Sequence, residues 1–125
     1  MKALIEAVHR LSTNIRYVAV YRHGALVSSE RAGLQAASSS ESDKYEELIV
    51  NPTLLTLLNQ RGDIDCGGMR FVLIRYGNFF EYVAPIAGGH ISVGIELSVD
   101  PLPLAAKIQE LVDDRITTSP WREES

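Results

Sequence analysis

Few residues in this chain could do chemistry of their own: three histidines, one cysteine and one short acidic segment. Asp63-Ile64-Asp65-Cys66-Gly67-Gly68 begins like a calcium loop. An EF-hand loop needs a third oxygen ligand at its fifth position, glycine at the sixth and glutamate at the twelfth. Here Gly67 stands fifth and Ile74 twelfth, and the segment leads from a helix into a strand. It reads as a turn. His9 falls in the first helical segment, His23 in a hairpin turn and His90 at the head of the last strand. None has a second His, Cys or carboxylate at metal-ligand spacing. His23 and His90 read as solvent-facing turn residues. Nucleophilic catalysis needs a base beside Cys66 or a serine, and His90 would reach Cys66 only through the fold. No phosphate-cradling glycine motif occurs; Gly67-Gly68 and Gly88-Gly89 serve turns. The expectation is a chain with no catalytic residues, no metal site and no cofactor.

Composition bounds the remaining classes. The 125 residues are enough for one domain with a sizeable core. Lys and Arg number 12 against 16 Asp and Glu, a net charge of −4, and the basic residues are scattered. That leaves no electrostatic footprint for nucleic acid or an anionic membrane. The single cysteine rules out an internal disulfide and fits a reducing compartment. Glu6, His9 and Arg10 break any signal-peptide core. No apolar run approaches the roughly 20 residues a membrane span needs. A cytoplasmic protein is expected.

Periodicity and turn chemistry then order the elements. Leu4, Val8 and Leu11 share one helical stripe, flanked by Ile5 and Ala7. Residues 17–21 are β-branched and aromatic and read as a strand. Arg22-His23-Gly24 makes a turn, and residues 25–28 return as a second strand. Residues 29–44 shift to Ser, Glu, Ala and Gly and read as a loop, with Ser38, Ser39 and Ser40 as a solvated stretch. Residues 45–50 suit a helical turn or a strand. Asn51-Pro52 looks like a helix start, with Asn51 as cap. Leu54, Leu55, Leu57 and Leu58 follow, and Gly62 closes the helix. These leucines span about 160° of the wheel, wider than a helix lying on one surface needs.

Residues 69–76 read as a strand apolar on both faces. Gly77-Asn78 is a tight turn, residues 79–86 form the next strand, and residues 90–99 alternate cleanly as the last. Asp100 and Pro103 start a final helix with Leu104, Ile108, Leu111 and Val112 inward. The tail, 117–125, is polar apart from Trp121. The fold class is therefore α+β. A five-stranded antiparallel sheet should carry the first and last helices on one face and the middle helix on the other. The order is α-β-β-α-β-β-β-α, in a domain of residues 1–116.

That order resembles the Roadblock family of dynein-light-chain-like domains, kin of profilin-like and longin folds. Residues 17–29 look like the family's first hairpin. Ile95-Glu96-Leu97 before a proline-flanked helix looks like its end. The resemblance spans residues 3 to about 115. It departs from the family where Asn51-Pro52 delays a usually long middle helix and where the 29–44 loop is extended. It implies a non-catalytic homodimer acting as a regulator or scaffold, on a small Ras-like GTPase or in a larger assembly. The implied dimer surface is Leu54, Leu55 and Leu58 with Arg70, Val72 and Ile74 of the following strand. A PAS-like small-molecule sensor is the alternative, and a pocket between sheet and middle helix would distinguish it.

Overall fold

The computed structural model describes residues 1–33 and 40–118. The elements are α1 (Lys2–His9), β1 (Ile15–Arg22), β2 (Ala25–Glu30), α2 (Ser40–Tyr45), a π-helical turn (Glu46–Val50), α3 (Asn51–Asp65), β3 (Val72–Arg75), β4 (Phe80–Ile86), β5 (Gly89–Ile95) and α4 (Pro101–Thr118). The five strands form one antiparallel sheet in the order β2-β1-β5-β4-β3. The expected α+β class and element order are what the chain adopts.

Because strand side chains alternate, the sheet has two unlike faces. On one, Val18 and Val20 of β1, Tyr82 and Ala84 of β4, and Ile91 and Val93 of β5 are fully buried. They pack with Leu4, Ile5 and Val8 of α1 and with Leu104, Ile108 and Val112 of α4 in one core. Each such apolar side chain contributes about 1.5–3 kcal/mol by leaving water. Asp100 starts α4 by accepting the Leu102 N–H on its Oδ1 at 3.0 Å, as a helix cap should. The other face presents Tyr17 and Ala19, Glu81 and Val83, and His90 and Ser92. The middle helix, α2 through α3, lies on it.

Several boundaries differ from the sequence reading. β2 continues through Ser29 and Glu30, which pair with Val18 and Tyr17. The helix begins at Ser40, so the segment read as a 29–44 loop is much shorter; Ser38 and Ser39 lie outside the described residues. Asn51-Pro52 does not start a helix. Asn51 has helical φ −64° and ψ −46°, and its N–H bonds the Glu46 carbonyl five residues back. Proline lacks an N–H and its ring crowds the carbonyl four residues earlier. One widened turn accommodates both, and the middle helix continues past it. Gly62 does not end the helix either. Its carbonyl accepts N–H groups from Cys66 and Gly68, and Gly67, at φ +76°, is the left-handed residue that closes it.

The first hairpin is tighter than expected. Arg22 pairs directly with Ala25, and His23 and Gly24 both take positive φ, 50° and 84°, as a two-residue type I′ turn requires. The strand read at 69–76 contracts to β3, and that read at 90–99 ends at Ile95. α4 includes Thr117 and Thr118, two residues beyond the expected boundary, and Trp121 lies outside the described residues. Among the described residues no helix is long and apolar enough to cross a membrane.

Gly89 sits where β5 is flanked by both neighbours, opposite Arg22 and Ile86. A Cβ there would stand 1.7 Å from the Tyr21 carbonyl oxygen. Gly89→Ala should cost about 3 kcal/mol, at the upper end for overpacking. Urea denaturation reads this directly, and a loss below about 1 kcal/mol would show that the sheet opens freely there.

Candidate functional site

The widened turn before Pro52 delivers two adjacent glutamates to the polar face of the sheet. Glu47 is completely buried. Its Oε1 accepts from Asn51 Nδ2 at 3.1 Å and pairs with His90 Nε2 at 2.7 Å. Its Oε2 accepts from the Ser92 hydroxyl at 2.5 Å and the Tyr17 hydroxyl at 3.1 Å. Four partners from β1, β5 and the helix itself thus converge on one carboxylate. A buried carboxylate without partners costs several kcal/mol, so the array holds the helix in one position.

Ser, His and an acid together invite comparison with a hydrolytic triad. In a triad the imidazole stands between serine and acid. Here the carboxylate stands between serine and imidazole. His90 and Ser92 are also buried, at 2% and 0% exposure. His90 is therefore not the solvent-facing residue the sequence suggested. Cys66 is exposed beyond α3, hydrogen-bonded to Asp65. It is not a partner of His90.

Beside this array lies a cavity of about 80 Å³ between β1, β4 and the helix. Its walls include Asp43, Glu46, Glu47 and Glu81, with Arg16, Tyr17 and Phe79. Glu46 accepts the Tyr76 hydroxyl at 2.8 Å. Glu81 is buried, and its Oε2 has no hydrogen-bond partner. Burial, reinforced by Glu46 and the other carboxylates, pushes Glu81 up to about 10, so it holds its proton at neutral pH. Burial and the same carboxylates push the Tyr17 and Tyr76 phenols up. Arg16 lies 5.3 Å from the Phe79 ring centroid and pairs with Glu96 at 2.9 Å. Arg31 holds the other Glu96 oxygen at 2.5 Å. Burial alone would raise the Glu96 carboxyl, but the two guanidiniums outweigh it and hold it below the usual range.

The helix's outward side carries large apolar residues among polar ones. Tyr45, Leu48, Ile49, Leu57 and Ile64 are exposed, at 43–75%. Leu55 is buried against the chain's own fold, and Leu54 and Leu58 are half-buried. Val72 and Ile74 lie half-buried on β3, and Arg70 precedes that strand, exposed. Sequence reasoning missed Leu48 and Ile49 because the widened turn breaks the 100° register, and Ile64 because the helix was expected to close at Gly62. It missed Glu47 and Glu81 because a carboxylate in a half-apolar segment looks solvated. Glu81 within the apolar strand 79–86 was the available signal. Among the described residues no group of three or more His, Cys, Asp or Glu side chains is arranged to hold a metal ion.

A five-stranded antiparallel sheet with the middle helix alone on one face defines a class, and solved structures identify it. A Roadblock/LC7 domain from Streptomyces avermitilis superposes with TM-score 0.67 at 14% identity, covering 92% of this chain and 93% of that one. MglB in a tetrameric arrangement gives 0.61 at 7% identity, covering 90% and 88%. The gliding protein MglB from Thermus thermophilus gives 0.56 at 10%, covering 90% and 88%. No protein-family model matches the sequence, and no curated protein does. The chain has the Roadblock/LC7 fold.

Two stability measurements test the buried carboxylates. Glu47→Ala leaves its buried partners without their acceptor and should cost about 3–5 kcal/mol, with Glu47→Gln costing less. Chemical denaturation distinguishes them, and a loss under about 1 kcal/mol for alanine would show that the array does not hold the helix.

Glu81 makes a pH prediction. Between its ordinary value of 4.5 and about 10, the folded chain keeps a proton that the unfolded chain has released. Stability should therefore fall as pH rises across that window, by up to about 1.4 kcal/mol per unit. Glu81→Gln should flatten the decline. Melting temperatures from acid to mildly alkaline pH decide it, and parallel curves for the two proteins would refute the assignment.

Proposed function

We propose that this chain is a non-catalytic regulatory or scaffold protein that works as a two-fold dimer, acting on a small Ras-like GTPase or within a larger assembly. The observation that carries the reading is the set of large apolar side chains left exposed on the middle helix, Leu48 and Ile49 adjacent among them, with the bare edge of β3 beside them. Contiguous apolar surface on a soluble domain marks an interaction site. The two sheet edges differ in the same sense. β2 ends in Ser28, Ser29 and Glu30, polar residues that discourage pairing. β3 offers Val72, Leu73 and Ile74. A two-fold axis covers the same patch on both copies at once.

Exposure in the monomer suggests additions to the expected surface of Leu54, Leu55, Leu58, Arg70, Val72 and Ile74. Leu55 is committed to the chain's own fold, so Tyr45, Leu48, Ile49, Leu57 and Ile64 carry the proposed contact, beside Val72 and Ile74. MglB, solved in a tetrameric arrangement, provides a parallel for self-association on this fold. The regulatory role and the GTPase rest on the resemblance to Roadblock domains. The sensor reading draws less support. Sensor pockets are large and mostly apolar, whereas this cavity is small and lined by carboxylates.

Light scattering on the purified chain should give twice the monomer mass. Leu48→Glu with Ile49→Glu should weaken association by about a hundredfold or more, the equivalent of about 3 kcal/mol of lost burial. Because both side chains are exposed within the monomer, circular dichroism should be unchanged. A wild-type chain that stays monomeric at high micromolar concentration would overturn the dimer. The regulatory step is read separately, as a changed GTP hydrolysis rate of a small Ras-like GTPase on adding the chain.

A further inference from the structure

The first half of the middle helix is fastened differently from the second. α3 is anchored on the sheet by Leu55 and Gly62, both buried. In the stretch before it, Glu41, Ser42, Lys44, Tyr45, Leu48 and Ile49 are exposed. Between residues 41 and 50 no apolar side chain is buried, and Val50 is half-buried. This stretch meets the sheet through polar contacts. Glu46 accepts from the Tyr76 hydroxyl at 2.8 Å and is hydrogen-bonded to Glu81. Glu47 is held by Tyr17, His90 and Ser92. Beneath it lies the cavity of about 80 Å³ rather than a packed seam. An element with so little apolar burial opens more easily than the core it rests on.

The junction between the halves is suited to a break. Asn followed by Pro is a strong helix start, Asn as cap and Pro in the first turn. In the docked helix that signal goes unused. Asn51 donates its Nδ2 to Glu47, and its Oδ1 is buried with no partner. If residues 46–50 unwind, the first N–H groups of the shortened helix need an acceptor, and the Asn51 Oδ1 supplies one as a cap does. Pro52 has no N–H to leave unmet. Glu47 departs into water together with its segment, and the opened cavity hydrates Tyr17, His90 and Ser92, so no charge is stranded in the interior.

We propose that residues 40–50 form a strap that undocks from the sheet as one unit, hinged at Asn51-Pro52, while α3 and the core stay folded. Leu48 and Ile49 ride on the strap. Its docked fraction therefore sets how much of the apolar surface is in place for self-association. That last step rests on the dimer proposed above; the undocking does not. By linkage, a partner that binds only the docked strap holds it closed, and anything that favours the open strap weakens assembly.

Residue-resolved amide hydrogen exchange on the full chain tests the strap. Amides from Lys44 to Asn51 should exchange as a group, about a hundredfold or more faster than those from Leu55 to Gly62. Ile108→Val weakens the core on the opposite face of the sheet. It should speed the α3 amides several-fold and leave the strap amides within about twofold, because the strap opens with that core intact. Pro52→Ala restores a donor at the hinge and weakens the start of the shortened helix, so strap exchange should slow by about fivefold or more. Strap exchange should also slow as chain concentration passes through the dimer dissociation constant, and Leu48→Glu with Ile49→Glu should abolish that dependence. Strap and α3 amides exchanging together, equal acceleration of both by Ile108→Val, or no slowing by Pro52→Ala would overturn the strap. Exchange indifferent to concentration, in a chain that light scattering shows to dimerise, would overturn its link to assembly. A monomeric chain whose strap still opens first upholds the strap and removes the dimer.

Discussion

A proline in the interior of a helix is the constraint on which the rest of this structure turns. Pro52 cannot donate a hydrogen bond, and its ring excludes the carbonyl that a regular turn would place beneath it. The chain answers with one widened turn, in which Asn51 reaches back five residues to Glu46. One extra residue in a turn displaces the face of everything before it by about 100° relative to everything after. Glu46 and Glu47 consequently face the sheet, while Leu48 and Ile49 face out. The buried carboxylate array and the exposed apolar side are two results of one local event. Widened turns of this kind are frequent at functional sites for the same reason: they re-aim side chains without ending the helix.

The two faces of the sheet do different work. Under α1 and α4 the packing is largely aliphatic around one buried aromatic, Tyr82, whose hydroxyl donates to Gln109 at 2.6 Å. Under the middle helix, Tyr17, His90 and Ser92 meet Glu47 at hydrogen-bonding distance, and that set is directional. Sliding the helix by one residue would leave every aliphatic contact replaceable but would strand a buried charge. Polar networks of this kind specify one arrangement among many of similar packing energy. Glu81 is the exception within the face. It is buried beside other acids, hydrogen-bonded to Glu46 and with one oxygen unmatched.

How far the sequence was readable follows from the same physics. Strict alternation at Ile91, Val93 and Ile95 and the two-faced text of Val72–Arg75 placed the strands, because period-two patterns survive without tertiary information. Asp100 announced α4 as plainly as a cap can. The middle helix was misread where local rules conflict with context. Asn51-Pro52 carries every signal of a start, yet Asn51 is buried and bonds Glu47 at 3.1 Å. Only packing against the sheet makes that position helical. His90 followed the same pattern, since position at a turn suggested solvent and its partner lay 43 residues away. Contacts of that range leave no mark on periodicity.

The likeness to other Roadblock/LC7 folds at very low identity shows that one architecture is reached by very different sequences. Cores accept many apolar sets of similar volume and pattern, so an architecture persists while its residues drift. A fold of this kind therefore says little about what a given member binds. The features that cannot be exchanged without consequence are the specific ones: the proline-forced turn, the carboxylate it buries, and the unmatched acid beside it. Two of these arise from a single dipeptide, and the third stands on a strand whose other side is pure core. Side-chain chemistry in this molecule is most tightly specified in the space between the middle helix and the sheet, where Glu47 meets four partners.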